Sequence, residues 1–83
     1  MRIEFSAGAK KDLLGLDEET RNRILRALKQ LQDNPQAADL RKLKGAANHW
    51  RLRVGDYRIL IKIEWRRGIA LLEGIFHRKD AYR

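Results

Sequence analysis

Two alternating runs on either side of Gly55-Asp56 constrain this chain more than any other feature. Trp50–Val54 alternates apolar and charged residues, and Tyr57–Glu64 resumes an Ile-rich alternation after only those two residues. A two-residue link with glycine first predicts a type II′ hairpin. The register then follows: Val54 faces Tyr57, Arg53 faces Arg58, Leu52 faces Ile59, and Arg51 faces Leu60. Because side chains alternate, Trp50, Leu52, Val54, Tyr57, Ile59 and Ile61 share one apolar face. The other face carries Arg51, Arg53, Arg58 and Lys62, with Leu60 its only apolar member.

The rest of the chain supplies cover for that apolar face. Arg2–Phe5 alternates and reads as a short strand. Ser6 is an N-cap candidate for a helix carrying Ala9, Leu13 and Leu16 at helical spacing. Gly15 interrupts it, and Asp17 caps a second helix whose first turn holds Glu18 and Glu19, where the helix dipole favours negative charge. Ile24, Leu25, Leu28 and Leu31 form its stripe, and Asn34-Pro35 stops it. Gly15-Leu16-Asp17 is the corner of a helical hairpin. Residues 35–49 read as a linker, pinned to the core by Leu40 and Leu43. Ile69–Phe76 is the last and most apolar strand, entered through a turn at Arg67-Gly68. The predicted fold is α+β: two N-terminal helices packed on a small, mainly antiparallel sheet, in the order β-α-α-β-β-β, as one domain over residues 1–83.

Composition narrows the chemistry. The 83 residues are 43% hydrophobic, enough for one core, and contain no cysteine, so disulfide staples, zinc ribbons and thiol nucleophiles are excluded. With no HExxH motif and two separated histidines, metal ligation is not expected, and the scattered glycines form no phosphate loop. Ser6 reads as a cap rather than a nucleophile. No apolar run suits a signal peptide or a membrane span, so the expectation is a soluble cytoplasmic protein. The charge is lopsided. Residues 1–40 carry seven basic and seven acidic side chains, whereas 41–83 carry twelve and four, which is the whole net +8. A polyanion is the natural partner of that second half.

The arginine face sharpens this expectation. Like charges directly opposite on a sheet destabilise it, and no Asp or Glu between Arg51 and Lys62 lies on that face to offset them. Converging guanidinium groups offer planar, bidentate donors suited to phosphate. The tail adds His77, able to move protons near neutral pH, then Arg78 and Tyr82, the last able to donate to phosphate or stack on a base. His49 is a weaker candidate of the same kind.

In this order and spacing the motifs resemble those of RelE-like toxins of the RelE/ParE superfamily of toxin–antitoxin modules. The likeness runs over nearly the whole chain: Arg2-Ile3-Glu4-Phe5-Ser6, the Lys-Lys-Asp-Leu segment at 10–13, Leu28 to Pro35, Lys42-Leu43-Lys44-Gly45, residues Trp50 to Ile59, and Phe76 to Tyr82. The resemblance implies the fold already read and an endoribonuclease that cuts mRNA in the ribosomal A site without a metal or other cofactor. It also implies an antitoxin, expected to be acidic, whose extended segment wraps a monomeric toxin within a hetero-oligomer. The family's basic pair falls on Arg51 and Arg53, its third-strand arginine on Arg58, its C-terminal arginine near Arg78, and its terminal tyrosine on Tyr82. Some relatives use a histidine in the tail, corresponding loosely to His77. Arg41, Lys42, Lys44, Lys62, Lys79 and Arg83 form an outer set for RNA or ribosome binding.

One departure bears on mechanism. Several relatives carry lysines at the paired strand positions, where a lysine can serve as a base, but arginine keeps its proton. The base in this chain would be His77, Tyr82, ribosomal RNA or water. Two other functions stay open: a ParE-like inhibitor of DNA gyrase, and a degenerate toxin that only binds its antitoxin.

Overall fold

A computed structural model describes residues 1–80 of the 83. Its elements are β1 (Arg2–Phe5), α1 (Ala7–Leu14), α2 (Glu18–Asp33), a 3₁₀ turn (Pro35–Ala37), β2 (Leu40–Lys42), β3 (His49–Val54), β4 (Tyr57–Glu64) and β5 (Ile69–His77). The sheet order is β1-β5-β4-β3-β2, with β1 parallel to β5 and the other neighbours antiparallel. The fold is α+β, with two helices on a five-stranded mixed sheet. No helix among the described residues is long and apolar enough to cross a membrane.

The helix boundaries follow from capping. Ser6 accepts the Ala9 N–H on its hydroxyl at 3.0 Å, and Asp17 accepts the Thr20 N–H on its carboxylate at 3.2 Å. The Thr20 side chain and backbone together hold the Asp17 carboxyl below its usual value. Proline after Asn34 ends α2, and its buried stripe is Ile24, Leu28 and Leu31. That stripe, with Ala9 and Leu13 of α1, packs on Leu52, Val54, Ile59, Ile61, Ile63, Ala70, Leu72 and Ile75 of the sheet.

The β3–β4 hairpin has the register that its turn predicts: Arg53 opposes Arg58 and Val54 opposes Tyr57. Gly55 has φ 57° while Asp56 does not enter positive φ, the pattern of a type II′ turn. Two features differ from the sequence reading. Residues Leu40–Lys42, read as linker, form a short edge strand against β3. Three residues show no period of their own, so the partner strand decides. The second difference is a β-bulge in β5. Ile61 pairs with Leu72 but Leu60 pairs with Gly74, so Glu73 is the extra residue. Before it, Ala70 and Leu72 point to the helices; after it, Ile75 and His77 do. One inserted residue inverts every later side chain.

Helix α1 holds that bulge from both sides. The Ser6 hydroxyl donates to the Glu73 carbonyl at 3.3 Å, and the Ile75 N–H donates to the Asp12 carboxylate at 3.1 Å. Asp12→Ala is expected to leave that part-buried N–H unpaired and cost ~1–3 kcal/mol. Urea unfolding measures it; a midpoint equal to wild type would show that water replaces the carboxylate.

Candidate phosphate-binding face

The sheet face turned away from the helices is a small grid. In one row Arg53 opposes Arg58, and Arg58 opposes Phe76. In the next, Arg41 opposes Arg51, Arg51 opposes Leu60, and Leu60 opposes Gly74. His49 and Lys62 pair in a third row. Arg41, Arg51, Arg53 and Arg58 line one cavity of about 220 Å³. An adjoining cavity of about 240 Å³ is lined by Leu43, Arg51, Arg58, Leu60, Phe76 and Asp80. Arg51 and Arg58 belong to both.

The like charges are offset from outside the hairpin. Asp39, just ahead of β2, accepts from Arg53 Nε at 2.7 Å and stands 3.9 Å from Arg41 Nε. The sequence reading looked for an acid only between Arg51 and Lys62; edge strand β2 brings one from further back. Arg58 is restrained differently. Its Nη1 donates to the carbonyls of Gly55 and Tyr57, each at 2.9 Å, leaving Nε and Nη2 without a hydrogen-bond partner among the described residues. Chemically the arginine cavity is an anion receptor: four guanidinium groups line it, Asp39 offsets two of them, and Asp80 lines the adjoining cavity beside Arg51 and Arg58.

Not every candidate lies here. His77 is on the helix side of the sheet, its ring edge-on to Tyr57 with centroids 5.3 Å apart, and its Nδ1 accepts the Lys79 N–H at 3.2 Å. The bulge sends it there, so His77 does not join the arginines. Arg78 stands by the hairpin turn: its N–H donates to the Asp56 carbonyl at 2.6 Å and its Nε is 3.7 Å from the Asp56 carboxylate. Arg41 and Lys62 are on the arginine face, whereas Lys42 pairs with Trp50 and points to the other side. Lys44 and Lys79 are in exposed turns. Tyr82 and Arg83 lie outside the described residues.

Residues outside the arginine set complete the face. Leu43, expected to pin the linker to the core, lines the second cavity instead. Phe76, placed outward by the bulge, is 40% exposed. His49 is tied across the sheet, with Nε2 2.7 Å from the Glu73 carboxylate and Nδ1 2.9 Å from the Ala47 carbonyl. Alternation from Ala70 and Leu72 already turns Glu73 to this side; what the sequence does not show is the strand order that sets β5 beside β4 and so within reach of His49.

Comparison with known proteins agrees with this architecture. Residues 3–82 match the family model described as the ParE toxin of the type II toxin–antitoxin system parDE. The chain is 31% identical to Toxin RelE3 of Methanocaldococcus jannaschii, over 99% of this chain and 96% of that protein. It superposes on a chain of the RelB–RelE antitoxin–toxin complex of Methanococcus jannaschii with TM-score 0.78 and 29% identity, covering 95% of this chain and 94% of the other. For the archaeal RelE–RelB complex of Pyrococcus horikoshii the values are 0.80 and 25%, covering 96% and 97%. With the helical hairpin, the sheet order and the arginine-bearing β3–β4 hairpin in place, the chain belongs to the RelE/ParE superfamily of type II toxin–antitoxin toxins and is RelE-like.

Proposed function

We propose that this toxin is a ribosome-dependent endoribonuclease that cleaves mRNA in the cytoplasm. The single observation that carries the reading is the convergence of Arg41, Arg51, Arg53 and Arg58 on one cavity of the open sheet face. In the proposed reaction the ribose 2′-oxygen attacks the adjacent phosphorus, the P–O5′ bond breaks, and the products are a 2′,3′-cyclic phosphate and a 5′-hydroxyl. The 2′-OH proton leaves as the P–O bond forms, and a proton is delivered to the departing 5′-oxygen. Arg53 and Arg58 hold the non-bridging oxygens, where charge builds in the phosphorane, and Arg51 orients the backbone. Arg78 extends the cationic surface beside the turn. The groups left to carry protons are Tyr82, ribosomal RNA and water. His77 faces the helices, and both ring nitrogens of His49 meet oxygen acceptors. Arg41, Lys62, the exposed Lys42, Lys44 and Lys79, and the terminal Arg83 supply long-range attraction to RNA.

The test is a cleavage assay on mRNA-programmed ribosomes with mapping of the RNA ends. Cuts within the A-site codon that end in a cyclic phosphate are the expected result; no ribosome-stimulated cleavage overturns the reading. The ParE description of the matching family favours a second target, DNA gyrase. Gyrase-dependent DNA breaks without RNA cuts would select it.

The partner we propose is an acidic antitoxin with an extended segment wrapping one copy of this toxin, in line with the RelB bound in the related complexes. The charge excess in residues 41–83 supports that sign. Affinity for the antitoxin is expected to fall as salt rises, because exposed charges are screened beyond ~8 Å at 0.15 M. Calorimetric titration over a salt series checks this; a salt-independent constant points to a mainly apolar interface.

A further inference from the structure

The second cavity has a composition that the phosphate reading does not use. Leu43, Leu60 and Phe76 give it an apolar floor, Arg51 and Arg58 form the wall shared with the arginine cavity, and Asp80 is its one acidic lining residue among the described residues. Its volume of about 240 Å³ is several times the ~30 Å³ share of a water molecule. An occupant that satisfies both halves is flat, apolar on its faces and joined to an anion at its edge. A nucleotide has that form.

The floor is shaped for a flat ring. The Phe76 ring lies across Gly74: a Cβ built there would be 2.8 Å from Phe76 Cζ and 2.9 Å from Cε2. Only glycine lets the ring settle on the strand. Gly74 is opposite Leu60 and Phe76 is opposite Arg58, so ring, leucine and guanidinium are adjacent positions of the same grid. With 40% of the residue exposed, the ring keeps surface open for stacking.

We propose that Phe76, seated on Gly74, is the stacking platform for a nucleobase adjoining the phosphate that Arg58 contacts. This rests on RNA being the substrate, and it assigns to β5 a base-binding role carried by residues outside the arginine set. An acidic peptide with an apolar side chain next to a carboxylate is the competing occupant. The planar floor and the bidentate wall favour the nucleotide.

The test uses a short unstructured RNA with a 2′-deoxy sugar at the target linkage, so that binding is read without cleavage, and matching RNAs made abasic at each position in turn. Phe76→Ala is expected to weaken binding of the intact RNA about tenfold. It should cost nothing further on the RNA abasic at the stacked position, and Phe76→Trp should retain binding. Gly74→Ala, which drives the ring off the strand, should reproduce the Phe76→Ala loss with an unchanged thermal midpoint. Equal losses on intact and abasic RNA, wild-type binding by Gly74→Ala, or no binding of either RNA by the wild type would each overturn the platform. The two readings fail separately. Base-dependent binding by a protein that never cuts mRNA on ribosomes removes the ribonuclease and keeps the platform. Full cleavage with unchanged KM in Phe76→Ala does the reverse.

Discussion

Arg58→Ala is expected to lower the single-turnover cleavage rate on programmed ribosomes about 10²–10³-fold, the usual loss when one preorganised donor to developing charge is removed. Arg58 bridges the two cavities, and its Nε and Nη2 have no partner among the described residues. Those donors are available without first breaking an ion pair. Arg53 is committed to Asp39 at 2.7 Å, so a phosphate must displace a carboxylate to reach it. Arg53→Ala removes a donor and also exposes that carboxylate beside Arg41, adding repulsion to loss. Arg58→Lys should recover only part of the rate, because an ammonium cannot make the planar two-point contact. The fold should tolerate these changes, since the Arg58 side chain contributes only two hydrogen bonds to its own turn. Wild-type cleavage by folded Arg58→Ala would remove the clamp from the mechanism.

The largest expected effect on stability is at Leu72. Its side chain is fully buried, opposite Ile61 and just ahead of the bulge. Leu72→Ala is expected to cost ~2–5 kcal/mol through lost burial and the cavity left behind. Whole domains are stable by only ~5–15 kcal/mol, and a chain this short falls toward the lower end. The thermal midpoint should drop ~8 °C or more. Leu71→Ala, on the opposite face of the same strand, should give a clearly smaller shift. Equal shifts would mean that the two faces of β5 are not the distinct environments described.

What the sequence made legible is whatever local chemistry decides. Ser6 and Asp17 announce their helices because a side-chain oxygen can satisfy an N–H three residues on. Gly55 announces the hairpin because the turn needs positive φ, and the hairpin fixes the register that gathers Arg51, Arg53 and Arg58. What stayed hidden depends on neighbours distant in sequence. Leu40–Lys42 becomes a strand only beside β3, and with it come Asp39 and Leu43. The bulge depends on Asp12, 63 residues before the N–H that it accepts. The sequence therefore grouped His77 with the arginines as part of the tail and gave Phe76 no role beyond ending the last strand.

That bulge also sets which changes of length the molecule can absorb. A residue gained or lost at the exposed turn of Lys44-Gly45 alters only a surface connection. Drawing the bulge straight with every residue kept would drive the Phe76 ring toward the core and turn the His77 imidazole outward, whereas losing one residue between Leu72 and Ile75 removes the bulge and keeps both on their present faces. One residue inserted in that short stretch, with a single bulge retained, exchanges the outer surface for the packed one, so the strand absorbs shortening there far better than lengthening.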